Sequence, residues 1–179
     1  MAINFPTSLD ALTNPSPSTA LADLTIPHSQ QHADANDAIE ALETKVGIDG
    51  SADTASLDYK TANLGAGSYT PTLTGVANVG ASTAYACQYL RVRDVVTVSG
   101  KLALDPTAAV ATQLGISLPV ASNFGAAEDC GGTAVAPGVA GQCAAIVADA
   151  TNNRAELQYV AADLTNQAWA FTFTYRVIA

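Results

Sequence analysis

Two histidines, three cysteines, a few acids and a few aromatics are the residues of this chain that could do chemistry. His28 and His32 stand four apart in PHSQQHADAND, one face of a helix if the helix begins by Pro27. On a threefold axis three such pairs could ring a metal or an anion; the ordinary reading is a pair at a helix start that caps or packs against neighbouring subunits. Two ligands per chain without a nearby third assign no metal, and no cofactor is expected. Cys87, Cys130 and Cys143 all lie in the second half. An odd count in a chain made in the cytosol points to buried small apolar residues rather than bridges. A disulfide closing GGTAVAPGVAGQ between Cys130 and Cys143 is the open alternative, with Cys87 then the spare.

Catalysis finds little to work with. No histidine follows His32, so the later part of the chain has no Ser–His or Cys–His pair of its own. No phosphate-binding glycine loop or zincin motif occurs. Glu128 with Asp129, and Asp149 with Glu156, are the nearest approach to the paired carboxylates of a glycoside hydrolase, the form that a polysaccharide depolymerase would take. Adjacent acids on a loop are ordinarily just solvated, and the chain is read as a non-enzyme. Tyr85, Tyr89 and Trp169 could stack on sugars if exposed. Alternation places Trp169 on a buried face with Phe171 and Phe173, which leaves Tyr85 and Tyr89 as the glycan-contact candidates.

The elements that must position these residues divide the 179-residue chain in two. Residues 1–67 hold nine acids against Lys45 and Lys60, with Phe5 and Tyr59 their only aromatics. Residues 68–179 hold nine of the eleven aromatics and must contain the core. The net charge of −9 with seven Lys and Arg argues against nucleic acid and anionic membrane surfaces as partners. No apolar run is long enough to span a bilayer, and MAINFPTSLD lacks a signal-peptide pattern, so assembly in the cytoplasm is expected.

Residues 1–27 carry Pro6, Pro15, Pro17 and Pro27, which exclude a long helix. Their scattered apolar residues Ile3, Phe5, Leu9, Leu12, Leu21, Leu24 and Ile26 suit an extended arm filling pockets on a partner or on neighbouring subunits; the alternative is a disordered tail. Residues 28–47 predict a helix with Ala35, Ile39, Leu42 and Val46 at spacings of four, three and four, the seam of a short coiled coil. Gly47 supplies the C-cap. A helix this short is marginal alone in water, so the stem should form by pairing copies.

Residues 48–67 read as a connector whose composition admits one short helical turn or an extended strand, with Gly65-Ala66-Gly67-Ser68 as a flexible linker. From Tyr69 the period becomes two. YTPTLTGVANV reads as a strand with a bulge at Gly75, Gly80-Ala81-Ser82 as a turn, and AYACQYLRV with VVTVSGKLAL as a hairpin about Arg93-Asp94. GISLPV, CGGTAVAP, QCAAIVADA, RAELQYV and AWAFTFTYRVIA follow, the last aiming Trp169, Phe171, Phe173, Tyr175 and Val177 one way. Seven to nine such strands predict a mainly β chain whose residues 68–179 form a jelly-roll-like β-sandwich.

The phrases FPTSLDAL, IPHSQQHADANDAIEALETKVG and SLDYK, followed by GSYTPTLTGVANV and QYLRVRDVVTVSGKLALDPT, resemble tailed-bacteriophage virion appendage proteins. These are the short tail fibres, head fibres and head-decoration proteins, and the resemblance covers roughly residues 5–106. It implies attachment to another virion protein through residues 1–27, a homotrimeric coiled coil, and a projecting β domain, with no cofactor and no catalytic residue. The expected function is that of a trimeric virion fibre displaying a knob for host-surface adhesion, with a host glycan as its target. The alternative is a head-decoration protein that stabilises the capsid without receptor binding; a chaperone or scaffold absent from the finished particle is more remote. Trimer over dimer rests on the resemblance, since so few heptads do not fix oligomer state.

Overall fold

The computed structural model describes residues 28–62, 64–139 and 141–179. The chain divides into two compact units, 1–62 and 63–179. The arm expected over residues 1–27, with Ile3, Phe5, Leu9, Leu12, Leu21 and Leu24, lies outside the described residues.

In the first unit α1 (His28–Val46) is the helix that the seam spacing predicts. It stops where expected: Gly47 adopts φ +85°, and its N–H donates to the Glu43 carbonyl at 2.7 Å. Any Cβ at Gly47 would come within 2.8 Å of the Ser56 side chain, so glycine is required twice over. Ser56 then caps α2 (Leu57–Ala62), its Oγ accepting from the Tyr59 N–H at 3.2 Å. The connector thus contains one short helix.

The second unit begins earlier than composition suggested. Its ten strands are β1 (Leu64–Tyr69), β2 (Leu73–Ala77), β3 (Val79–Ala84), β4 (Cys87–Val92), β5 (Val95–Pro106), β6 (Ala111–Ile116), β7 (Cys130–Val135), β8 (Cys143–Asp149), β9 (Arg154–Val160) and β10 (Gln167–Arg176). Gly65-Ala66-Gly67-Ser68, expected as a linker, is strand β1, paired with β4 from Leu64↔Val92 to Tyr69↔Cys87. The reason is local: a Cβ at Gly67 would meet the Tyr89 ring at 2.9 Å, so the small residues are what let an aromatic lie against the strand.

Gly80-Ala81-Ser82 is likewise no turn. It lies within β3, paired with the far half of β5. The strand expected at GISLPV ends at Ile116, and β6 is ATQLGI instead. The bulge expected near Gly75 is present, as a register shift between Gly75 and Ala77.

The two-sheet jelly-roll sandwich resolves into a simpler arrangement: one curled antiparallel sheet ordered β1-β4-β5-β10-β7-β8-β9-β6-β2, with β3 also on β5. The curl returns on itself through Asn78, which joins β2, beside β6, to β3, beside β5. Asn78 takes φ +57°, a conformation that asparagine tolerates better than most residues. Its Nδ2 donates to the Ala108 carbonyl and to Thr112 Oγ1, each at 2.7 Å, and its Oδ1 accepts from Thr107 Oγ1 at 2.7 Å. One side chain therefore fastens the corner to the β5–β6 connection.

The inner face of the curl is the core. Val96, Val98, Leu102 and Leu104 of β5 are fully buried, as the hairpin alternation predicts. Opposite register partners on β10 bring in Trp169, Phe171, Phe173 and Tyr175, all buried. Each such side chain contributes about 1.5–3 kcal/mol relative to exposure. Val177 packs on the core from beyond the strand end. Tyr175 also ties down the β6–β7 connection, its hydroxyl donating to the Val120 carbonyl at 2.7 Å and accepting from the Val120 N–H at 3.1 Å.

Candidate functional site

Two surfaces carry the residues singled out by sequence, one in each unit. On α1, Ile39, Leu42 and Val46 are 54%, 51% and 47% exposed, and Ala35 is half-buried. Three large apolar side chains on one stripe of a short helix thus face outward. The neighbouring face is the covered one: Asp34 is buried and accepts from Gln30 Nε2 at 2.7 Å, and Ala38 and Ala41 are half-buried. The stripe runs further toward the N-terminus than the sequence reading carried it. His28 and His32 continue the same spacing, so positions 28, 32, 35, 39, 42 and 46 lie on one stripe of the helix.

On the β unit, Tyr85 and Tyr89 separate. Tyr89 is half-buried, edge-on to Tyr69 with ring centroids 6.2 Å apart, and packed against the core. Tyr85 is 43% exposed, and Lys101 Nζ lies 5.1 Å from its ring centroid. Lys101 also lines a cleft of about 460 Å³ with Val139, Thr165, Asn166 and Gln167. An exposed ring beside an ammonium is a surface on which a sugar could stack and hydrogen-bond. Trp169 is fully buried, 4.4 Å from Tyr159, as expected of a core residue.

The outer face holds a second feature that composition hid. Leu64, Leu90, Val92 and Val95 are each about half exposed and adjoin across β1, β4 and β5 through Leu64↔Val92 and Val92↔Val95. Strand β1, LGAGSY, has no charge, proline or bulge to block pairing along its outer edge. The signal was legible only once β1 was known to be a strand.

The acidic pairs are occupied structurally. Asp129 Oδ2 accepts from the Gly125 and Ala126 N–H groups at 2.7 and 3.0 Å. Asp149 is bridged to Arg154 at 2.8 Å. Partial burial pushes the Asp149 carboxyl up, but donation from Asn152 and the Arg154 guanidinium outweighs it and holds the group below the usual carboxylate range. Glu156 is buried and accepts from Gln158 at 2.7 Å. Among the described residues no three His, Cys, Asp or Glu side chains gather as a metal cluster.

All three cysteines are free thiols. The alternative Cys130–Cys143 bridge is excluded by register: Cys143 pairs with Val135 at one end of the β7–β8 hairpin, and Cys130 sits at the other end of β7, opposite Tyr175. Burial pushes the Cys130 thiol up from 9.0 to about 12 and the Tyr175 phenol from 10.0 to about 12, and it raises Cys87 and Tyr69 as well.

A pH dependence follows with a definite sign. Folded-state pKa values above the unfolded ones give stability that is complete below about pH 9 and lost as pH rises toward 12. Each titrating group steepens the loss by about 1.4 kcal/mol per pH unit. Denaturant titrations of the β unit's Trp169 fluorescence should show the decline beginning near pH 9. Replacing both Cys87 and Cys130 by Ala should delay its onset to about pH 10, where tyrosine ionises. A decline unchanged by that double replacement would show that the thiols do not drive it.

The class that emerges is a mainly β protein: one curled antiparallel sheet, preceded in sequence by a helix with an exposed apolar stripe. No family model, curated protein or solved structure matches the chain.

Proposed function

We propose that the chain is a structural protein of a tailed-phage virion: a trimeric appendage whose α1 seams pair into a coiled-coil stem, whose residues 1–27 attach to another virion protein, and whose β unit forms an outward knob. The observation that carries this reading is the exposure of Ile39, Leu42 and Val46 along one stripe of α1. Burying that stripe is what would make a 19-residue helix stable in water. The β1 edge, which pairs with no further strand among the described residues, and its apolar neighbours are further surface that self-association would protect. The motif phrases quoted from residues 5–106 supply the virion.

Tyr85 beside Lys101 favours a knob that touches host glycan. A head-decoration role is the second reading, favoured by the small apolar character of the loop around Pro137, Gly138 and Val139. Immunogold labelling of intact particles with antibodies to the β unit tests both. Label at the neck or tail supports the fibre; label at regular lattice points over the capsid supports decoration. Particles that carry no label overturn the virion assignment.

A further inference from the structure

We infer that His28 and His32 form a bidentate site for a divalent transition-metal ion. Their Nε2 atoms converge to 2.9 Å, with the rings nearly perpendicular at 88° and both side chains exposed. Two metal–nitrogen bonds of about 2.05 Å at a right angle place their nitrogens about 2.9 Å apart, so the pair already has the bite of two neighbouring ligands of a square or octahedral ion. A tetrahedral ion needs an opening of roughly 0.4 Å. The helix fixes the two residues one turn apart, so little ordering remains to be done on binding.

Without metal, one ring donates its Nε2 proton to the other. Metal binding requires that proton at Nδ1 instead, a tautomer change that leaves both rings neutral and presents both Nε2 lone pairs. Imidazole pairs select Cu²⁺, Ni²⁺ or Zn²⁺ over Mg²⁺ or Ca²⁺. No third acidic, thiol or imidazole ligand joins them among the described residues, so water or other copies complete the shell. His28 and His32 occupy the same seam as Ile39 and Leu42. If the proposed trimer holds, three pairs face one axis and one ion takes nitrogens from several chains; this sharing rests on that reading, whereas the chelate within one chain does not.

The full chain carrying Cys143→Ser, to remove the exposed thiol, is stripped with chelator and titrated with Cu²⁺ at neutral pH by calorimetry and electron paramagnetic resonance. His28→Ala and His32→Ala are compared in the same background. Sedimentation without metal is run in parallel. The expected result is copper bound through at least two imidazole nitrogens, with affinity weakened roughly tenfold or more in either variant. Absence of binding, or binding by either variant as tight as that of the parent chain, overturns the inference. A monomer that binds one copper through two nitrogens upholds the chelate while sinking the trimer; a trimer without histidine-dependent binding does the reverse.

Discussion

Replacing Leu42 with Asp should turn the proposed trimer into single chains. Leu42 sits in the middle of the apolar stripe and is half exposed in the single chain, so that surface is available to a partner. Full burial of a leucine stabilises by about 1.5–3 kcal/mol, and a symmetric trimer contains it three times. The aspartate both removes that term and brings three like charges together in a poorly solvated seam, where an unpaired carboxylate is costly. The expected loss of several kcal/mol corresponds to at least a thousandfold weaker association at about 1.4 kcal/mol per decade.

Sedimentation equilibrium should therefore give the mass of one chain. The helical signal of α1 should fall with it, because a helix this short is marginal without partners. Trp169 fluorescence should stay native, since the only tryptophan is in the β unit. Glu40→Ala, on an exposed position off the seam, is the control that should keep the assembled mass. A Leu42→Asp chain that still sediments as a trimer would show that something other than α1 clamps the assembly.

The α1 helix and its apolar stripe were legible because periodicity survives in sequence: spacings of four and three give one stripe whatever the partner is. The same holds for β10, where Trp169, Phe171, Phe173 and Tyr175 alternate with Ala168, Ala170, Thr172 and Thr174 and are buried accordingly. The β4–β5 hairpin was also readable, with Arg93 in the left-handed conformation at its two-residue turn. What composition could not give were positions decided by a neighbour distant in sequence. LGAGSY looks like a linker until the Tyr89 ring is laid over Gly67. Gly80-Ala81-Ser82 looks like a turn until the second half of β5 pairs with it. Asn78, the residue that fastens the curl, was passed over inside a supposed strand; an asparagine between two short β stretches was the available signal. In the β unit, burial separates Tyr85 from Tyr89, a distinction that two tyrosines four apart in sequence do not reveal.

Gly132 is a position where the fold has no room for a side chain, and its neighbour supplies the control. In β7, Gly131 and Gly132 point to opposite faces of the sheet. A Cβ on Gly132 would meet the Thr172 carbonyl oxygen, and the Cβ and Cα of its register partner Phe173 would lie at 2.5 and 2.6 Å. These are atoms of a central strand, fixed on its other side by β5, so they cannot rotate away as a flexible side chain would. Gly132→Ala must therefore push β7 off β10, at a cost of about 3 kcal/mol or more, the upper range for overpacking. For a unit of this size that lowers the melting temperature by roughly 10 °C. A Cβ on Gly131 meets nothing within 4 Å, and its backbone is not left-handed. Gly131→Ala should be neutral or stabilise by up to about 0.5–1 kcal/mol, because alanine restricts the unfolded chain. Thermal unfolding followed by Trp169 fluorescence should thus separate two adjacent and chemically identical substitutions by at least 3 kcal/mol, by the same two effects. Equal melting temperatures would mean that β7 does not lie against β10 in this register.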